Sequence, residues 1–141
     1  RYTTEEFRDV TKRLRSKFPN AALTTDIIVG FPGETDEEFN TTYEFLKEIA
    51  FYKMHIFKYS QRKGTKAAVM PNQVDGKIKE ERSKKLIELS NENEYNYNKK
   101  YIGKQSAYFV NITISFLLVI NPSVSSKYNF SKLSTTAILS L

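Results

Sequence analysis

The stretch Thr24–Phe39, TTDIIVGFPGETDEEF, decides the fold of this chain. Residues 22–29 are apolar and β-branched, which indicates a buried strand, and they stop at a Gly-Phe-Pro-Gly turn, residues 30–33. A helix begins directly afterwards, because Thr35 and Glu38 have the spacing of a capping box. In α/β proteins such a turn lies at the carboxyl end of a strand, where ligands bind and where glycines let a ligand approach the backbone. The alternative is a turn that caps a helix and binds nothing.

The chain beyond this turn predicts a second strand parallel to the first. Residues 36–50 carry apolar side chains at helical spacing, namely Phe39, Tyr43, Leu46 and Ile49. Residues 52–58 then alternate, with Tyr52, Met54 and Ile56 on one face and Lys53, His55 and Phe57 on the other. Strand, helix and strand form a βαβ unit, whose strands are parallel and whose crossover is right-handed. Both strands therefore end at one rim, which residues 30–33 and 59–65 would share.

Two further helices are predicted to flank this unit. Thr3 and Glu6 form a second capping box, followed by an apolar stripe of Phe7, Val10, Leu14 and Phe18. Residues 77–101 form a long helix with Ile78, Leu86, Leu89 and Asn93 along one side. Its other faces mix both charges, and we interpret them as solvated rather than as a nucleic-acid stripe.

The composition limits the chemistry of the chain. Its 141 residues are 40% hydrophobic and 27% charged, which suits one soluble domain or part of a larger one, and a net charge of +6 permits a nucleic-acid partner without requiring one. There is no cysteine, so the chain supplies no disulfide, no thiolate nucleophile and no thiolate ligand for zinc or an iron–sulfur cluster. The polar start has no signal peptide and no methionine, so we expect a cytoplasmic protein cut from a longer chain.

The last part of the chain differs in character from the rest. Residues 106–141 contain two lysines and no acidic residue. The apolar run 107–120 is too short, and too often interrupted, to predict a membrane-spanning helix. We therefore expect residues 105–141 to form an atypical, irregular tail, either native or produced by a change of reading frame.

Residues 1–104 resemble the C-terminal part of the radical S-adenosylmethionine domain of tRNA methylthiotransferases. The resemblance lies in TTDIIVGFPGETDEEF, in residues 55–74, HIFKYSQRKGTKAAVMPNQV, and in residues 79–90, KEERSKKLIELS. His55 and the run Tyr59-Ser60-x-Arg62-x-Gly64-Thr65 are most similar to the enzymes that act on N6-threonylcarbamoyladenosine. Enzymes acting on isopentenyladenosine are the nearest alternative. The implied fold is α/β, a fragment of a radical-SAM (β/α) partial TIM barrel, and the tail stands where the family has an RNA-binding barrel.

The resemblance implies the chemistry of an intact parent enzyme. S-adenosylmethionine and two [4Fe–4S] clusters would serve to place a methylthio group on C2 of a modified adenosine beside the anticodon of tRNA. No cluster ligand is present in this cysteine-free chain. We therefore expect the chain alone to be inactive, with no catalytic residue and no metal ligand of its own, and to depend on a missing N-terminal part of the same enzyme.

The resemblance also implies site residues. A loose G-x-I-x-G-x-x-E pattern, which packs against the cofactor's adenine in the family, is matched imperfectly by Asp26, Ile28, Gly30 and Glu34. The residues expected at the cofactor are Asp26, Ile28, Gly30, Phe31, Pro32, Gly33, Phe57 and Tyr59. Those expected at the substrate are His55, Ser60, Arg62, Lys63 and Lys66, since cations beside an aromatic ring suit an RNA backbone and an unstacked base.

Three alternatives stay open at this point. Asp26 and His55 are either an acid–imidazole pair that handles protons or substrate, or a satisfied buried polar pair. The loop with Arg62 is either an RNA or carboxylate contact or a solvated loop. The whole chain is either an enzyme fragment or a non-enzymatic module that binds RNA or another anion. Because both strands would leave edges open, we also expect self-association or marginal stability.

Overall fold

The computed structural model describes residues 3–102 and the backbone of residues 111–118. The elements follow the order α1 (Thr4–Lys17), β1 (Ala22–Val29), α2 (Asp36–Ile49), β2 (Lys53–Lys58), a short 3₁₀ helix (Lys66–Val69), α3 (Gly76–Lys99) and β3 (Asn111–Leu118). Predictions for the rest of the tail fall outside the described residues.

β1 and β2 form the predicted parallel pair. Their register runs from Thr24 opposite Lys53 to Val29 opposite Lys58, with α2 as the crossover. The α/β fold with a parallel βαβ unit is therefore confirmed. Since parallel strands end on the same side, the turn after Val29 and the loop after Lys58 do meet at one rim.

One face of β1 is buried under the helices, as the alternation of the strand predicts. Leu23, Ile27 and Val29 are each about 1% exposed. They belong to one core with aromatic and aliphatic side chains from every described helix except the 3₁₀ turn, including Phe7, Phe39, Phe45, Leu46, Ile49, Leu86 and Leu89. Met54 of β2 belongs to the same core. Burial of such side chains is worth roughly 1.5–3 kcal/mol each, so this layer fixes which face of the sheet stays open.

Both helices predicted to begin with a capping box do so. The Glu6 amide donates to Thr3 Oγ1 at 3.1 Å and the Glu38 amide donates to Thr35 Oγ1 at 3.2 Å, while each glutamate accepts from the cap amide. The predicted apolar stripe of α1 is wrong at its last member. Phe18 follows the last helical turn as the C-cap and is 42% exposed.

α3 is less solvated than its charge pattern predicts. Leu86 and Leu89 are buried as expected, but Arg82, Ser83 and Ser90 are buried too, while Ile78 is exposed. Ser90 Oγ accepts the Met54 amide at 2.9 Å, which attaches α3 to β2. The interpretation of every charged position on α3 as solvated is therefore wrong at Arg82, because ion pairs compensate its burial.

β3 changes the expected sheet. The order is β2-β1-β3, with β3 parallel to β1 and a register irregularity between Thr24 and Asp26. Residues 111–118 are thus a strand rather than an irregular tail, and β1 is paired on both sides. The prediction that β1 leaves an open edge is wrong, and among the described residues β2 pairs with β1 alone. Among the described residues, no helix has the length and apolar character needed to cross a bilayer.

Candidate cofactor and RNA rim

The turn after β1 is held by its own backbone. Gly30 and Gly33 have φ angles of 70° and 85°, a left-handed conformation that favours glycine. The Glu34 amide donates to the Phe31 carbonyl at 2.9 Å, and the Gly33 amide donates to the Asn72 carbonyl at 2.8 Å. These bonds fix residues 30–34 between β1 and the loop that precedes α3.

Glu34 is the central acceptor of this turn. Its Oε2 accepts the Gly30 amide at 2.7 Å and Arg82 Nη1 at 2.6 Å, and its carbonyl accepts the same Nη1 at 3.1 Å. The side chains of Glu34 and Arg82 are only 7% and 6% exposed. Burial raises the pKa of Glu34, while the Gly30 amide and the Arg82 guanidinium oppose that shift. The second nitrogen of Arg82, Nη2, donates to Asp36 Oδ1 at 2.7 Å, so one guanidinium connects α3 to the turn and to the start of α2.

Lys79 fills the space that a side chain at Gly30 would need. A Cβ on Gly30 would lie 2.3 Å from Lys79 Cγ, well inside contact distance. Lys79 Nζ then donates to the Tyr59 carbonyl at 3.2 Å and lies 5.5 Å from the centre of the Tyr59 ring. The space beside Gly30 is therefore occupied by a side chain of α3. Contact between Gly30 and a ligand stays a prediction.

Tyr59 links the two strand ends. Its amide donates to the Val29 carbonyl at 2.8 Å, and its ring meets Phe31 edge to face at 5.1 Å. The Tyr59 hydroxyl is buried and has no hydrogen-bond partner within the described residues. Pro32, which follows Phe31 in the turn, is fully buried. A buried hydroxyl without a partner is the kind of group that a ligand or a further segment of chain satisfies.

The open face of the sheet carries two adjacent pairs of predicted site residues. Asp26 lies opposite His55 and Ile28 lies opposite Phe57 in the β1–β2 register. Asp26 and Ile28 are half-buried, His55 is exposed, and Phe57 is 53% exposed. No hydrogen bond joins the Asp26 and His55 side chains in the part of the chain that the structure describes. The two residues are thus neighbours, as the acid–imidazole interpretation requires, but the interpretation as a satisfied buried pair is wrong here.

These residues suit an adenosyl ligand. Ile28 and Phe57 offer an apolar surface on which an aromatic base can pack, and Asp26 beside them offers a carboxylate for hydroxyl or ammonium groups. An iron–sulfur cluster does not fit in the same way. The chain has no cysteine, and the described residues contain no group of three or more His, Asp or Glu side chains able to hold a metal ion.

The predicted substrate residues of the loop lie apart from this face, beyond the end of β2. Ser60, Arg62, Lys63 and Lys66 are all exposed. Thr65 shapes the loop, because its hydroxyl donates to the Arg62 carbonyl at 2.8 Å and accepts the Ala68 amide at 3.3 Å. The side chains of Arg62 and Lys63 make no ion pair or hydrogen bond with any described residue. The loop therefore presents cations to solvent on the same rim as Tyr59.

A depression of about 340 Å³ lies elsewhere, between α2 and α3. It is lined by Asp36, Phe39, Asn40, Ile78, Glu81, Arg82 and Lys85. None of the residues predicted at the cofactor or the substrate lines it. The candidate site is instead the open sheet face and the rim, and we refer to Asp26, Ile28, His55, Phe57 and Tyr59 as the sheet-face group.

Sequence reasoning missed the residues that hold the rim together. Glu34 falls one position later than the family pattern places its acid, and Lys79 and Arg82 lie among the mixed charges of α3, so neither pattern predicts the contacts that they make. The available signal was their spacing. Lys79 and Arg82 are three residues apart and so lie on the same side of α3.

No family model matches the chain. Three similar proteins found by sequence comparison are all named as enzymes that add a methylthio group to tRNA. Over 103 residues the chain is 53% identical to a probable threonylcarbamoyladenosine tRNA methylthiotransferase of Methanocaldococcus jannaschii, which covers 73% of this chain and 24% of the relative. It is 48% identical over 101 residues to the threonylcarbamoyladenosine tRNA methylthiotransferase of Bacillus subtilis, with 72% and 22% covered. It is 45% identical over 103 residues to a tRNA-2-methylthio-N(6)-dimethylallyladenosine synthase of Caldicellulosiruptor saccharolyticus, with 73% and 22% covered.

The chain thus spans about a quarter of the length of these relatives. Identities at this level over most of the chain establish common descent, and the α/β fold with its glycine turn agrees with it. The chain is therefore homologous to one segment of tRNA methylthiotransferases, as a fragment of that family would be.

Proposed function

We propose that this chain is a segment of a tRNA methylthiotransferase that adds a methylthio group to C2 of N6-threonylcarbamoyladenosine next to the anticodon. The main support is the sequence identity of 53% over 103 residues to a relative that is named for that nucleoside. A synthase named for dimethylallyladenosine is 45% identical, so isopentenyladenosine is the alternative substrate. We place the enzyme in the cytoplasm, where its tRNA substrate is found.

In the intact enzyme, S-adenosylmethionine and two [4Fe–4S] clusters would supply the radical and the sulfur. Of the residues present here, Ile28 and Phe57 would hold the adenine, and Asp26 would orient polar groups of the cofactor. Gly30 to Gly33 and Tyr59 would close the rim around it. The cluster ligands would come from other parts of the enzyme, since this chain has no cysteine.

The substrate would enter over the basic loop. Arg62 and Lys63 are exposed and without side-chain partners among the described residues, so they can bind tRNA phosphates. His55 lies opposite Asp26 on β2, the strand that leads into this loop. Ser60 and Lys66 lie on the same loop and would add further contacts. A forked guanidinium at Arg62 also suits the carboxylate that the threonylcarbamoyl group carries.

A hybrid enzyme tests the proposal. Residues 3–102 would replace the matching segment of the B. subtilis relative, and the hybrid would be expressed in a strain lacking that enzyme. Nucleosides from its tRNA would then be analysed by mass spectrometry. We expect 2-methylthio-N6-threonylcarbamoyladenosine to reappear. A stable, soluble hybrid with intact clusters that forms no methylthio product would contradict the proposal, and a product on isopentenyladenosine would reassign the substrate.

The non-enzymatic alternative is tested with the chain itself. An RNA-binding module would bind tRNA with an affinity that falls steeply as salt rises, and Arg62→Gln with Lys63→Gln would reduce it. Lys12→Gln with Arg13→Gln removes the same two charges from adjacent exposed positions of α1 and is the matched control. Strong binding by the chain together with an inactive hybrid would favour this alternative.

A further inference from the structure

α3 reaches both strand ends through two side chains one helical turn apart. Arg82 binds the turn after β1 through Glu34, and Lys79 binds the residue after β2 through the Tyr59 carbonyl. Between them lies Gly30, whose amide is bonded to Glu34 and whose open side is filled by Lys79. The conformation of the rim is therefore set from α3, which itself carries none of the predicted ligand contacts.

The Arg82–Glu34 contact is built for geometric precision. The guanidinium makes two bonds to Glu34 and one to Asp36, and it lies 5.4 Å from the centre of the Phe39 ring. Both partners of the Arg82–Glu34 pair are more than nine-tenths buried. A buried ion pair often adds little net stability compared with apolar side chains, and its attested benefit is a defined arrangement. A lysine has one nitrogen and could not place donors at both the Nη1 and the Nη2 positions, which bond Glu34 and Asp36.

We propose that Arg82 is a positioning residue, which acts through Glu34 to hold the Gly30 turn, and with it Phe31 and Tyr59, in the conformation that binds the adenosyl ligand. The inference rests on the proposed function for the identity of that ligand. It adds a residue outside the sheet-face group, on a different element, to the determinants of the site.

The first test uses the chain itself and needs no ligand. The double variant R82M/E34Q removes both charges together, so it avoids leaving one buried charge unpaired. We expect amide exchange at Gly30 to become at least about tenfold faster, because its acceptor is no longer fixed from α3. K84M/E81Q removes the same two charges from exposed positions of α3 and should leave the Gly30 rate unchanged.

The second test measures ligand binding in the hybrid enzyme, with S-adenosylhomocysteine as the probe and titration calorimetry as the readout. We expect the Kd to rise at least about fivefold in R82M/E34Q and to stay unchanged in K84M/E81Q, because only the first pair holds the turn. R82K should be intermediate, since it keeps the charge but loses the fork. A merely structural role would lower the folded fraction without changing the Kd of the molecules that bind.

The outcomes separate the inference from the proposed function. An unchanged Gly30 exchange rate, or an unchanged Kd, overturns the positioning role. A hybrid that does not bind the probe before mutation overturns it as well. A hybrid that binds the probe with the expected dependence on Arg82 but forms no methylthio product leaves the positioning role standing and contradicts the proposed function.

Discussion

Ala50 ends α2 with a φ of 50° and a ψ of 61°, in the left-handed region. An alanine there has its Cβ close to the next carbonyl, which costs roughly 1–2 kcal/mol, and glycine avoids that contact. The Ala50 amide nevertheless donates to the Leu46 carbonyl at 2.9 Å, so the turn is well formed.

We expect Ala50→Gly to stabilise the chain by about 0.5–1 kcal/mol, after the greater freedom of glycine in the unfolded state is subtracted. Urea unfolding measures the change. Ala68→Gly, in the 3₁₀ helix and without a positive φ, is the matched control and should be neutral or destabilising. Destabilisation by Ala50→Gly would show that the strain is not present.

At this scale the sequence predicts local features well and distant partners poorly. Both capping boxes follow from pairs of residues three apart in the sequence. The Gly-Phe-Pro-Gly turn likewise follows from its two glycines, which both have a positive φ. The burial of Arg82 could not be predicted, because its partners Glu34 and Asp36 precede it by more than forty residues. The pairing of Asp26 with His55 and of Ile28 with Phe57 depends on the register of β1 and β2, which the sequence pattern alone does not determine.

At the scale of the secondary-structure elements, two arginines of α1 bind α2. Arg8 makes a double contact with Glu48, with Nε 2.6 Å from Oε1 and Nη2 2.8 Å from Oε2. Arg15 Nη2 donates to the carbonyls of Ile49 and Ala50 at 2.5 and 2.8 Å, at the C-terminus of α2. Cations at that end also interact favourably with the helix dipole.

Arg15→Met should lower the stability by about 1–2 kcal/mol, because two carbonyls at the end of α2 lose a charged donor. Thermal or urea unfolding measures it. Arg13→Met removes the same charge from an exposed position of α1 and should have little effect. Equal effects of the two variants would mean that net charge, rather than the contact with α2, is responsible.

The Arg8–Glu48 contact should make stability depend on pH. The hydrogen bond from Arg8 holds the pKa of Glu48 below its usual value of 4.5, so the contribution is present above that value and is lost as pH falls through the folded pKa. Glu48→Gln should therefore slightly lower the Tm at about pH 6, and this difference should shrink as the pH falls through the folded pKa of Glu48. Glu44→Gln, on an exposed position of the same helix, is the control, and a difference that persists at low pH would exclude this linkage.

At the scale of the whole molecule, β3 covers the edge of β1 that β2 leaves unpaired. β1 is paired on both sides, whereas β2 has one strand neighbour in the part of the chain that the structure describes. Open parallel edges invite association between copies. The sequence predicted the parallel pair but not β3, since the apolar run of residues 107–120 gave no indication of which strand it would join.

We expect a chain that ends at residue 102 to self-associate more strongly than the full chain, because it would leave the edge of β1 open. Sedimentation velocity across a range of concentrations compares the two. A truncated chain that stays monomeric and unfolds independently of concentration would contradict this role of β3.

The sheet order also governs when the structure can form. β1 pairs with β2 across one helix, but it pairs with β3 only after the whole of α3 has been made, and closure of such a long loop is slow. During synthesis, the βαβ unit and α3 can therefore assemble while one side of β1 still waits for its neighbour. In this interval the edge of β1 that later pairs with β3 is open to association with another strand.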